Sequence, residues 1–176
     1  AIAQRKFVAQ ISTETSPTHP LLVDRQRIPP NADLHALADS LVAALNGVMG
    51  DHLAATGNPL AIPMRLRRDG KPLVLTKAAL AEAMPAAGGR ILLLVHGLCR
   101  CDLQWERNGH DHGAALAASR TFDPPFTPLY LHYNSGLHVS TNGREFAGLV
   151  ETLVKAWPVP VDEIVYLKAE LKYITI

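Results

Sequence analysis

Along the chain, apolar and polar positions fall into two alternating regimes. From Asn31 the leucines recur at helical spacing, Leu34, Leu37, Leu41 and Leu45 with Val48, through HALADSLVAALNGVMGDHLAAT, behind an N-cap in Asn31-Ala32-Asp33. This predicts a helix of about five to six turns ending near Gly57-Asn58-Pro59. Two strand-like runs then flank Asp69-Gly70, a hairpin signal, and Lys77 to Met84 reads as a short helix. Ile91 to Val95 is an unbroken aliphatic run between Gly89 and Gly97, the pattern of a strand buried on both faces. HDHGAALAASR predicts a helix capped by Asp111, Pro128 to Tyr133 a second strand, and Ser140 to Ala156 an amphipathic helix. Val161 to Leu167 reads as a third buried strand. Before Asn31 there is no sustained period, and Pro17, Pro20, Pro29 and Pro30 mark residues 1–30 as an extended arm.

Strand, helix, strand, helix, strand over Arg90 to Leu167 is the order of a parallel βαβαβ unit. The expected class is therefore α/β, with a mixed, mostly parallel sheet flanked by helices and an N-terminal helical extension. Ligands of such sheets bind outside the carboxyl ends of the strands. His96-Gly97, where the aliphatic run stops, is the first place to look for chemistry.

Composition narrows the class only a little. With 17 basic and 16 acidic residues the formal charge is +1, which gives no electrostatic footprint for nucleic acid. RLRR at Arg65 to Arg68 is the one dense basic run and reads as a solvated hairpin end. No stretch reaches the length of a membrane span, so the expectation is a soluble, cytoplasmic protein. Cys99 and Cys101 are too close for an unstrained disulfide and too few for zinc, so they are expected as thiols.

Three phrases resemble a known family. The strand ending in His96-Gly97-Leu98, the segment GHDHGAALA, and YLHYNSGLHVSTNGREFAGLVETLVKAWPVPVDEIV together are similar to the N-terminal half of α/β-hydrolase-fold esterases. They are closest to the bacterial lipase-like group related to GPI inositol-deacylases, and LVAALNGVMGDHLAATGNPLAIPMRLR is similar to the leading segment of those proteins. The likeness runs from Asn31 to Val165. It implies that His96, Gly97 and Leu98 form the oxyanion loop, with the Leu98 N-H as donor and the His96 ring holding the loop. It also implies carboxylic-ester hydrolysis through an acyl-enzyme, with a small-molecule or lipid ester as substrate and no cofactor.

The strand of Val161 to Leu167 should, by that resemblance, lead into a G-x-S-x-G elbow. KAELKYITI follows it instead, and no G-x-S-x-G occurs in the 176 residues. The acid and histidine of the triad come after the serine in this fold, so all three members are missing. The expectation is thus an incomplete α/β-hydrolase domain over 31–176, inactive alone. The rivals are a non-catalytic interaction module and an esterase using an unconventional serine, Ser135, with His132 and His138 nearby in sequence. A loop role for Ser135 outweighs that use, because no oriented acid accompanies it. His110 and His112 raise a metal, but at a helix start an N-cap and surface role outweighs it, and no metal is expected. Trp157 is expected to close its helix against the sheet, and Trp105 either to cover the oxyanion loop or to join the core. A strand left at the sheet edge and the alternating tail Lys168 to Ile176 suggest a homo-oligomer joined through that edge or tail.

Overall fold

The computed structural model describes residues 34–169 except Asn108. The expected arm over 1–30 and the tail beyond Ala169 lie outside the described residues. Twelve short elements follow one another: α1 (Leu34–Ala55), β1 (Arg65–Arg68), β2 (Lys71–Pro72), α2 (Lys77–Ala83), β3 (Arg90–Val95), a 3₁₀ turn (Asp102–Trp105), β4 (Glu106–Arg107), β5 (His110–Asp111), α3 (His112–Ala117), β6 (Thr127–His132), α4 (Val139–Ala156) and β7 (Glu163–Lys168).

Five strands form one sheet in the order β2-β1-β6-β3-β7. β3 pairs in parallel with β6 and with β7, while β1 runs antiparallel to β6, so the sheet is mixed and mostly parallel as expected. The β1–β2 turn has Asp69 and Gly70 both at positive φ, 50° and 70°, the left-handed pair that a two-residue hairpin turn needs. β3 leads to β6 on one side and β6 leads back to β7 on the other. The carboxyl ends of β3, β6 and β7 therefore meet at the point where strand order reverses.

Burial follows side-chain alternation. Ile91, Leu93, Leu129, Leu131 and Leu66 pack under α2 and α4, against Leu80, Met84, Leu153 and Trp157. Leu92, Leu94, Tyr130 and Leu167 pack on the other face with Ala117 of α3 and Phe126. Trp157 follows the last turn of α4 and its Nε1-H donates to the Gly88 carbonyl at 2.9 Å, closing the helix against the sheet as expected. α2 is capped by Thr76, whose hydroxyl accepts from the Ala79 N-H at 3.3 Å. α3 has the expected cap, with Asp111 accepting from the Ala114 N-H at 2.9 Å, but it is six residues long. The hairpin β4–β5 takes up the residues before it.

α1 departs from what its leucines suggest. Leu34, Leu37, Leu41 and Val48 are exposed, and the helix buries Ala43, Asn46, Gly50 and Leu53. It covers neither sheet face. It lies against the loops at the carboxyl end of the sheet, and the contact is so close that glycine is required at three places. A Cβ on Gly47 would sit 2.7 Å from the Cys99 backbone, one on Gly50 2.0 Å from Asn134 Oδ1, and one on Gly136 2.1 Å from the Asn46 carbonyl oxygen. Helix propensity alone favours alanine over glycine by about 1 kcal/mol. Gly148 of α4, with nothing within 4 Å of its Cβ position, should show this gain as Gly148→Ala. Gly47→Ala should reverse the sign and cost about 1–3 kcal/mol by overpacking. Urea melts of both variants check the contrast, and equal shifts would remove the close approach of α1.

Candidate functional site

Three chain segments converge at the strand-order reversal: residues 96–101 after β3, residues 133–138 after β6, and Ala169 after β7. His96 anchors the first. Its ring is buried, stacks on Tyr133 at 4.4 Å, and lies 3.0 Å by Nδ1 from the Gly97 carbonyl oxygen. A carbonyl only accepts, so Nδ1 carries the hydrogen. Nε2 is then free to accept from the Tyr133 N-H at 3.4 Å, and the Tyr133 hydroxyl donates to the His96 carbonyl at 3.0 Å. Burial is the main reason that this imidazole is pushed down to about 4, with the neighbouring His132 adding to the effect. It is a neutral tether at neutral pH.

Gly97 has no positive φ. Its Cβ position would lie 2.9 Å from the Ala169 carbonyl oxygen, and that close approach is what the residue permits. Among the described residues nothing accepts from the Leu98 N-H, and the Leu98 side chain is exposed. Cys99 holds the left-handed conformation, φ 58°, that turns the loop. Its N-H donates to Ser135 Oγ at 3.1 Å. Ser135 thus ties the two loops together, and neither nearby histidine bonds it. His138 Nδ1 accepts from the Ser140 N-H at the start of α4, and His132 points to Asp102. Asn134, fully buried, donates to the Gly50 carbonyl at 3.0 Å and accepts from the Gly136 N-H at 3.1 Å, which joins the same loop to α1.

Behind the loops lies a buried ionic cluster that reading the sequence missed. Arg67 is not a solvated hairpin end. Its Nη1 donates to Asp102 Oδ1 at 3.0 Å, its Nη2 to Asp39 Oδ2 of α1 at 2.8 Å, and its Nε to the Gly70 carbonyl at 2.8 Å. His132 Nδ1 lies 2.8 Å from the same Asp102 oxygen, so that nitrogen must carry a hydrogen. Burial works to raise the Asp102 carboxyl, but the His132 hydrogen bond and charge and the Arg67 charge outweigh it and leave it below the usual range. The only sequence clue was alternation: with Leu66 facing the core, Arg65 and Arg67 share the opposite face of β1.

Asp111 caps α3 and accepts from the Tyr130 hydroxyl at 2.6 Å, and burial, then this carboxylate, raises that phenol well above its usual range. His110 and His112 make an edge-on ring pair at 4.9 Å, and among the described residues no three metal-ligating side chains cluster. Both cysteines are free thiols; Cys101 is buried, which raises it, and lies 3.7 Å from the Ser40 hydroxyl. Trp105 packs against the cluster of Leu92 and Leu94. Compared with protein-family models, with curated proteins and with solved structures, the chain finds no match. Among the described residues no helix is long and apolar enough to cross a membrane.

Proposed function

We propose that these 176 residues supply the oxyanion-binding half of a serine ester hydrolase of the α/β-hydrolase type, with the nucleophile, acid and base carried by sequence outside them. One observation supports this reading above the others. The backbone of Ala169, leaving β7, lies against Gly97, so the segment that continues β7 starts beside the loop whose Leu98 N-H lacks an acceptor among the described residues. Residues 169–176 carry no serine, so the nucleophile would have to be brought to this point by sequence outside them, where it would attack an ester carbonyl within reach of this donor. The tetrahedral oxyanion would form against a backbone dipole held rigid by His96 and Tyr133. The substrate class is a carboxylic ester, and the acyl-enzyme route needs no cofactor.

The isolated chain should not turn over p-nitrophenyl butyrate above an unrelated protein, and a fluorophosphonate should not label it. Joined to a serine-bearing second half, it should gain both properties. Gly97→Ala, which drives a Cβ into the Ala169 carbonyl, should then lower kcat by about 10²-fold with little change in KM. Labelling of the isolated chain at Ser135 would transfer the reaction to that residue, and an unchanged kcat in Gly97→Ala would remove the loop from the mechanism.

A further inference from the structure

Arg65 opens β1 at the end of the sheet where the site loops gather. β1 runs antiparallel to β6, and Arg65 stands opposite His132, the last residue of β6, one row beyond the pair Leu66 and Leu131. Leu131 also stands beside Val95 of β3, so the row of Arg65 and His132 continues into His96, whose ring lies 6.2 Å from that of His132. Residues opposite one another on neighbouring strands share a face. Leu66 and Leu131 face the core under α2 and α4, so Arg65, Arg67 and His132 face the other way, where Asp102 lies.

The two arginines of this face differ in what they meet. Arg67 is buried, and its guanidinium reaches Asp39, Asp102 and the Gly70 carbonyl. Arg65 is half-buried, its Nε is buried with no hydrogen-bond partner, and among the described residues no carboxylate lies within ion-pair distance of it. A buried N-H without an acceptor carries its full desolvation cost, and a partly buried cation without a counter-charge adds to it. Asp102 does not fill this need, because its Oδ1 is already shared by Arg67 and His132 at 3.0 and 2.8 Å. Nor does sequence that extends the sheet beyond β7, because β1 lies on the far side of β6 from β3 and β7.

We propose that Arg65 is an anion-binding residue at the carboxyl end of the sheet, and that it takes a carboxylate or phosphate group of the ester substrate through Nε and one terminal nitrogen. A guanidinium presents two parallel N-H groups along that edge, which match two oxygens of either anion. A strand spacing of about 4.8 Å puts Arg65 two strands, roughly 10 Å, from the end of β3 where the loop of Leu98 begins. The substrate is then an ester with an acidic group on the order of 10 Å from its scissile carbonyl. Assigning the anion to the substrate rests on the hydrolase reading, whereas anion binding by Arg65 does not.

The test starts from the full 176-residue chain. In proton-nitrogen correlation spectra at fixed ionic strength, the Arg65 Nε-H signal, identified by its absence in Arg65→Lys, should shift and saturate as inorganic phosphate or acetate is added. The signals of Arg67, bonded to the Gly70 carbonyl, and of exposed Arg120 should not. Tighter saturation by phosphate assigns a phosphate group and tighter saturation by acetate a carboxylate. Arg65→Lys keeps the charge but loses the fork, and should bind the anion about 10-fold more weakly, followed through the backbone amides of His96 and His132. An Arg65 signal that moves no more than that of Arg120 overturns the proposal, and so does an Arg65→Lys variant that binds as tightly as the wild type. In the protein joined to its second half, Arg65→Met should cut the kcat/KM ratio of a p-nitrophenyl ester ending in a carboxylate to p-nitrophenyl butyrate by about 10-fold or more. Anion binding without ester turnover in the joined protein would sink the hydrolase reading and keep the site. An unchanged ratio in Arg65→Met would overturn the assignment of the anion to the substrate.

Discussion

Replacing Arg67 by methionine is expected to cost about 3–5 kcal/mol of folding stability, the scale for removing one partner of a buried ion pair. Methionine keeps the length and the apolar stem, so the loss falls on the guanidinium. Its fork joins four parts of the molecule: Asp39 of α1, the Gly70 turn, Asp102 of the 3₁₀ turn, and β6 through the His132 ring that shares Asp102. Without it Asp102, 2% exposed, retains His132 alone, and Asp39, 35% exposed, returns to water. Urea unfolding of Arg67→Met measures the loss. The added change Asp102→Asn should recover part of it, since no orphan charge is then buried, and Arg67→Lys should be intermediate because a point charge cannot span both carboxylates. A loss below about 1 kcal/mol, the value of an exposed pair, would mean that water screens the cluster.

The cluster also has a pH signature. The folded Asp102 carboxyl lies below its unfolded value, so its contribution is present above the ordinary carboxylate range near pH 4. That contribution is lost as pH falls through the folded value. Asp102→Asn should remove this acid-side dependence.

Some of this architecture was readable from residues alone, for identifiable reasons. β3 announces itself because a strand buried on both faces needs an unbroken apolar run, and α4 because its apolar residues keep one helical face; β7, expected as a buried strand, is half-buried from Glu163 to Tyr166 because β3 alone pairs with it among the described residues. The Asp69-Gly70 turn was visible because few residues accept two successive positive φ values. Counting apolar residues fails where burial is achieved by small or polar ones. α1 seats Ala43, Asn46, Gly47 and Gly50 inward, a face that hydrophobic spacing does not register, and its conspicuous leucines face outward. The location of the candidate site at His96-Gly97 follows from an aliphatic run that stops abruptly. Its construction does not. Arg67 and Asp102 are 35 positions apart and Arg67 and His132 65, and spacing along the chain carries no information about such pairs. β4 and β5, two residues each, are too short to show a period. The left-handed conformation of Cys99 is imposed by the loops around it and not by its residue type.

His96 should make the fold lose about 2 kcal/mol of stability between pH 7 and pH 5, the linkage expected when a histidine titrates near 6.5 unfolded and about 4 folded. The sign follows from proton counts. Between those two values the unfolded chain binds a proton that the folded chain refuses, so acid favours unfolding. The contribution is complete above the unfolded value and disappears as pH falls to the folded one. The refusal has a structural cause. Protonation would place a second N-H on Nε2, which faces the Tyr133 N-H at 3.4 Å, inside a side chain with 1% exposure and with the ring of His132 6.2 Å away. The measurement is the free energy of urea unfolding at pH 7, 6 and 5 for the wild type and for His96→Gln, an uncharged side chain that can still tether the loop. The variant should be the less stable protein at pH 7 and should show a pH dependence flatter by about 2 kcal/mol over the interval. Parallel slopes would show that His96 takes up its proton in the folded state, and the neutral tether assigned to it would then be wrong.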